Sequence, residues 1–182
     1  LAFAAVRNND KVGLILFTDK VERHIPPKKG QSHALRLVTE LLYFEPASSG
    51  TDIAAALDYC AHVMKSKGVV FVASDFYGMD YEEALKRLGR RHDLMALRMQ
   101  DRREKEVPPL GLLEVMDAES GELQWINTAS HAYRSGFGRR VEDFEGELKG
   151  RFQRAGVDRL DLWTHEDYFK RVMHHFAGRK RR

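Results

Sequence analysis

One cysteine, Cys60, stands among 182 residues. A single thiol excludes an internal disulfide framework and suits a reducing compartment, so a cytoplasmic location is expected. No apolar run approaches the length of a membrane-spanning helix. Charge of one sign is also scarce: the formal net charge is +3, too small by itself to imply a nucleic-acid partner. The phosphate-cradling G-x-G-x-x-G and P-loop signatures are missing, as is the G-x-S-x-G nucleophile elbow. "HEDYF" fails as a zinc protease motif because Phe169 stands where the second histidine would be. There are no internal repeats and no low-complexity linkers. What is present is 43% hydrophobic residues in a chain long enough for one domain with a sizeable core.

"LAFAAVRNND" reads as the end of a helix, with no capping residue before Leu1. The chain is therefore read as lacking an amino-terminal part, which leaves a leader or anchor upstream open. "KVGLILFT" (Lys11 to Thr18) and "VVFVA" (Val69 to Ala73) are short apolar runs of strand type, expected to be buried on both faces. "VERHI" predicts a short edge strand that stops at Pro26-Pro27. Ser32 is expected to open a helix burying Leu35, Val38, Leu41 and Leu42. A second helix follows Thr51-Asp52, with Ile53, Leu57, Cys60 and Met64 on its core stripe. Asp80 with Glu83 resembles a capping box for a third. "DLMALRM" and "VDRLDLW" predict two more strands, and "LLEVMD" and "ELQWIN" a hairpin around "AESG". Apolar residues every three or four positions from Tyr133 to Phe152 predict one long helix, despite its internal glycines. Thr164 is expected to cap a final helix that buries Phe169, Val172, Met173 and Phe176. Strands alternating with helices give a mostly parallel sheet with helices on both faces.

Asp75 ends one strand of such a sheet, and Thr51 and Asp52 begin the helix that feeds it. The start of that helix and the carboxyl end of the strand lie at the same sheet edge, where open α/β sheets bind ligands. Hydroxyl and carboxylate oxygens there suit a hard cation such as Mg²⁺, which takes six oxygen ligands. Two plainer roles stand beside this one: Thr51 as a helix cap, and Asp75 as an acceptor for loop N–H groups.

"DKVGLILFTDKVERHIPPKKG", "GTDIAAAL" and "VASDF", in that order, resemble bacterial von Willebrand factor type A proteins. The similarity is greatest to an uncharacterised branch often encoded beside MoxR-type AAA+ ATPases, and "VPPLG" and "DAESGE" resemble that branch's hairpin. The resemblance implies a Rossmann-like α/β domain over residues 1–178 with an added β-hairpin, followed by a basic tail, 179–182. It implies that the first strand is absent from this chain. In that family a metal-ion-dependent adhesion site is built from an Asp-x-Ser-x-Ser loop, a Thr and an Asp. Thr51 and Asp75 match the second and third parts, and nothing matches the first. The chain thus carries half a metal site; a complete family member would hold Mg²⁺, whereas no cofactor is expected here. The implied role is non-enzymatic: a protein-interaction module working with a MoxR-type ATPase in assembly or maturation of a complex.

Two other classes are weighed against it. A metal-dependent α/β hydrolase would use Asp75 as ligand or nucleophile. A weak nucleic-acid binder would use Arg179 to Arg182, although so few charges read more simply as a solvated tail. Cys60 reads as a core thiol, and the adjacent His174 and His175 point to different sides of a helix. If the family topology holds, Val12–Phe17 and Val69–Ala73 are not direct neighbours, and Asp75 finds hydroxyl or N–H partners near residues 49 to 52.

Overall fold

Eight residues, Asp93–Gln100, make the strand around which the second part of the chain is organised. The computed structural model describes residues 1–78, 80–116 and 121–172. It divides into two compact units, Leu1–Lys65 and Ser66–Arg182.

In the first unit, α1 (Ala2–Arg7) precedes a hairpin of β1 (Val12–Phe17) and β2 (Val21–Lys28). The second strand runs past Pro26 and Pro27 instead of stopping before them. A register shift between Val12 and Leu14 accommodates the prolines, and Gly13 is required there because a Cβ would sit 2.9 Å from the Ile25 carbonyl oxygen. Helices α2 (Gln31–Leu42) and α3 (Ile53–Val63) follow. The buried face of α2 is Ala34 and Leu37, whereas Leu35, Leu41 and Leu42 are exposed. The helix begins at Gln31, before Ser32. Helix α3 buries Ile53, Leu57 and Cys60 of the expected stripe, together with Ala56; Met64 is the residue that ends the helix and is only partly buried. Burial pushes the Cys60 thiol pKa up, consistent with an inert core thiol.

In the second unit, β3 (Val69–Ser74), β4 (Asp93–Gln100) and β7 (Asp158–Trp163) form a parallel sheet in the order β3-β4-β7. Strand β4 has a partner on each side and is buried along most of its length. Strand β3 is not buried on both faces as expected: Val69 is exposed and Val72 alone is fully buried. Its place at the end of the three-strand order explains this, since an edge strand has one neighbour to cover it. Strands β1 and β3 belong to separate sheets among the described residues.

One sheet face packs Met95, Leu97 and Leu162 with Phe71, Leu160 and Val172. Helices α4 (Glu82–Arg91) and α5 (His131–Ala155) belong to this unit and bury Ala84, Leu85, Leu88, Leu148 and Phe152. The long helix is unbroken through its glycines and ends at Gly156, whose φ of 65° is the left-handed cap that favours glycine. Asp80 and Glu83 do not form a capping box: Tyr81 is the cap of α4, and Asp80 has a positive φ. The hairpin is present as β5 (Leu112–Met116) and β6 (Leu123–Asn127). Thr164 caps no helix; it sits in a turn and donates its hydroxyl to Asp101, while Asp167 accepts from the Lys170 N–H at the start of the helical stretch 168–172. Phe169 is exposed. Met173, His174, His175, Phe176 and the tail 179–182 lie outside the described residues.

Candidate functional site

Ser74, Asp75 and Phe76 turn the chain sharply as it leaves β3. The Asp75 Oδ1 accepts from the Tyr77 N–H at 3.1 Å and from the Ser74 hydroxyl at 3.3 Å, and the Ser74 Oγ accepts from the Phe76 N–H. This is an Asx-type turn, the plainer of the two roles open to Asp75. The partners in these bonds are its own neighbours in the loop, Ser74 and Tyr77. The carboxylate stays exposed, and Oδ2 takes no part in the turn bonds.

The loop is fixed from beneath. Phe76 has a φ of 60°, a strained value for an aromatic residue, yet its ring is fully buried. It packs edge-on against Phe152 with centroids 5.1 Å apart, and its carbonyl accepts from the Tyr81 hydroxyl at 3.0 Å. Helix α5 holds the rest: Tyr77 stacks on Phe144 at 4.5 Å, and Arg151 donates to the Gly78 carbonyl at 3.0 Å. Burial raises the pKa values of both Tyr77 and Tyr81.

Arg98 links this loop to the sheet. It is buried on β4, donates its Nε to the Asp75 carbonyl at 3.3 Å and its Nη1 to Glu145 at 2.6 Å, and lies over the Phe144 ring. Glu145 also meets Lys105 at 2.8 Å and Arg159 at 3.7 Å. Partial burial works against the Glu145 charge, but hydrogen bonds from Lys105 and Arg98 outweigh it and hold its pKa below the usual carboxylate range. Sequence reading missed Arg98, Tyr77, Phe144 and Glu145. The one available signal was Arg98 itself, a charge inside the apolar run "LMALRM", which needs a partner if buried.

Thr51 lies in the first unit and is exposed. The cap of α3 is Asp52, which accepts from the Ala55 N–H at 2.8 Å, so the Thr51 hydroxyl has no capping role. The Asp52 N–H donates to the Thr18 carbonyl at 2.8 Å, tying the start of α3 to the end of β1. Thr18 in turn donates to Glu22 at 2.7 Å, and this bond, with the Ala47 N–H, lowers the Glu22 pKa. Asp75 lies in the second unit. No group of three or more His, Cys, Asp or Glu side chains that could hold a metal occurs among the described residues. The side chains of Thr51 and Asp75 carry three oxygens between them, short of the six that Mg²⁺ takes. No helix among the described residues is long and apolar enough to cross a membrane.

A parallel three-strand sheet flanked by helices, with antiparallel hairpins added and a built loop at its carboxyl edge, places the chain in the mixed α/β class. It belongs to the family described as protein of unknown function DUF58, which matches residues 1–146. An uncharacterised protein of Mycobacterium tuberculosis is 23% identical over 184 residues, covering 100% of this chain and 58% of the relative. The chain thus spans 58% of the length of that relative. An uncharacterised Mycobacterium avium protein is 23% identical over 160 residues, covering 86% of this chain and 94% of the relative. The fold is similar to that of a conserved hypothetical protein, BatB, from Bacteroides thetaiotaomicron, with a TM-score of 0.58 and 13% identity over 100% of this chain and 86% of that one. It is also similar to an aerotolerance-related membrane protein from Bacteroides fragilis, with a TM-score of 0.52 and 16% identity over 85% of this chain and 72% of that one.

Proposed function

We propose that this chain is a non-enzymatic protein-interaction module of von Willebrand factor type A character, offering the carboxyl edge of its parallel sheet to a protein partner. The observation that carries this reading is the loop after β3. It exposes Asp75 and Tyr77 on a backbone held in a strained conformation by the buried Phe76 ring, the Tyr81 hydroxyl and Arg151. Strain kept in place by several independent anchors is a common mark of a recognition or switch segment. Pre-ordering a loop in this way lowers the entropic cost of binding. The motif resemblance supplies the context, a MoxR-type AAA+ ATPase engaged in assembly or maturation of another complex. Thr51 and Asp75 are read as half of a metal-ion-dependent adhesion site.

Three measurements test this. Binding of the chain to a MoxR-type ATPase encoded beside its gene should weaken at least several-fold in Asp75→Ala and Tyr77→Ala, with melting temperature little changed. Unaltered binding in both variants would remove the loop from the interface. Calorimetric titration with Mg²⁺ and Mn²⁺ should give no tight stoichiometric binding; tight binding that Asp75→Ala abolishes would overturn the half-site reading. Turnover of phosphate esters with Mg²⁺, lost in Asp75→Ala, would make the chain a hydrolase instead.

A further inference from the structure

The hairpin of β5 and β6 leaves one apolar face in solvent. Cross-strand partners share a face, and the register pairs Leu112 with Asn127, Glu114 with Trp125 and Met116 with Leu123. Strand alternation puts all of these on the same side. Leu112, Met116, Leu123 and Trp125 are large and apolar, yet they are between 61% and 67% exposed. The opposite side carries Leu113 and Ile126, which are half-buried. Among the described residues no third strand extends the pair, which forms a two-strand sheet of its own.

The base of the hairpin is firmly held. Thr128 is fully buried; its hydroxyl donates to the Gly111 carbonyl at 2.8 Å and accepts from the Leu110 N–H at 3.0 Å. Arg134 of α5 donates to the Thr128 and Ala129 carbonyls at 2.8 and 2.7 Å. The exposed side chains therefore stand on a fixed base, which lowers the ordering cost of binding. A clustered apolar patch with a Trp in the middle of its strand marks an interaction surface.

Charge narrows what can cover it. From Val107 to Ser130 the sequence has four acidic residues, Glu114, Asp117, Glu119 and Glu122, and no Lys, Arg or His. Glu114 stands on the apolar face itself, opposite Trp125. A second copy set face to face would bring two acidic hairpins together, and an anionic membrane or nucleic acid would be repelled in the same way. A basic partner is favoured instead. Size narrows the choice further: strands of five residues span about 17 Å, the length of about three helical turns. Two strands side by side are also about as wide as one helix.

We propose that the exposed face of the β5–β6 hairpin is a docking surface for a basic amphipathic helix of a partner protein. Trp125 and its apolar neighbours cover the apolar stripe of that helix, and Glu114 pairs with a Lys or Arg beside the stripe. The surface shares no residue with the Asp75 loop. The test titrates the whole chain against a fluorescently labelled amphipathic helix of leucine and lysine, read by anisotropy, with the same helix carrying glutamate for lysine as control. Saturable binding of the leucine–lysine helix is expected, and about tenfold weaker binding of the glutamate helix. Trp125→Ser should weaken binding about tenfold, as loss of a central aromatic anchor does. Glu114→Lys should weaken it several-fold, and melting temperatures should change little because both side chains stand in solvent. Should Trp125→Ser fail to fold, Met116→Ser is expected to weaken binding and decides instead. Asp75→Ala and Tyr77→Ala should leave binding of this helix unaltered; its loss in either would place the contact at that loop and overturn the proposal. No saturable binding, equal binding of the two helices, or undiminished binding in Trp125→Ser would overturn it too. So would a concentration-dependent dimer in sedimentation, or binding to phosphatidylglycerol vesicles, that Trp125→Ser abolishes. The first would make the face a contact between copies, the second a membrane surface.

Discussion

Asp75 and Phe76 are adjacent, and the fold treats them in opposite ways. Asp75 is exposed and accepts two local hydrogen bonds, so Asp75→Ala should cost about 1 kcal/mol of stability, the net value of a local hydrogen bond. Phe76 is fully buried against Phe152 and Tyr81, so Phe76→Ala should cost about 3–5 kcal/mol; alanine keeps the Cβ, so the positive φ is no easier to hold. Urea unfolding of the two variants checks this. A larger loss for Asp75→Ala than for Phe76→Ala would mean that the carboxylate, not the ring, organises the loop. The sequence "SDFYG" shows a strand ending in a turn, but it gives no sign that the aromatic residue after the acid points inward.

Between elements, the clearest ionic link joins α4 to α5. Glu82 accepts from Arg154 at 2.8 Å and pairs with Lys86 at 2.9 Å, and these hydrogen bonds, Arg154 first, lower its pKa from 4.5 to about 2. A carboxylate depressed on folding contributes stability that is present above its unfolded value and lost as pH falls toward the folded value. Melting temperature should therefore fall between about pH 4.5 and pH 2 partly through Glu82, and Arg154→Gln should flatten that part of the profile. The pair is solvent-exposed, so the difference should shrink in high salt. An unchanged acid profile in Arg154→Gln at low salt would show that the link contributes nothing. The glycine-interrupted α5 is legible in the sequence because apolar spacing persists across it. The pairing of Arg154 with Glu82 is not, since 72 residues separate them.

At the scale of the whole molecule, the segment after β4 carries charged side chains that stand out in solvent. Arg102 and Glu106 pair at 3.3 Å with side chains 70% and 68% exposed, an arrangement worth little to stability. Arg103 contributes its backbone N–H to Asp101, which a side-chain change leaves intact. Reversing charge at Arg102 and Arg103 should leave the melting temperature nearly unchanged while weakening binding to the ATPase partner, if this segment confers specificity. Equal loss of stability and binding would make it a structural element instead.

Local pattern determined much of this protein. Apolar runs set the strands, three-and-four spacing set α3 and α5, and the strand-type runs from Leu112 and Leu123 set the hairpin, because each depends on residues close in sequence. Thr51 and Asp75 could also be singled out, since hydroxyls and carboxylates at element ends stand out from apolar surroundings. Only the tertiary structure decided which strand is central and which is at the edge. An apolar run is the same in either place, and its burial depends on how many strands pair beside it. Tertiary structure likewise decided that Ala34 and Leu37, not Leu35 and Leu41, face inward on α2. It also decided that Arg98, Lys105 and Arg159 meet at Glu145, because long-range pairing of charges leaves no period in a sequence to read.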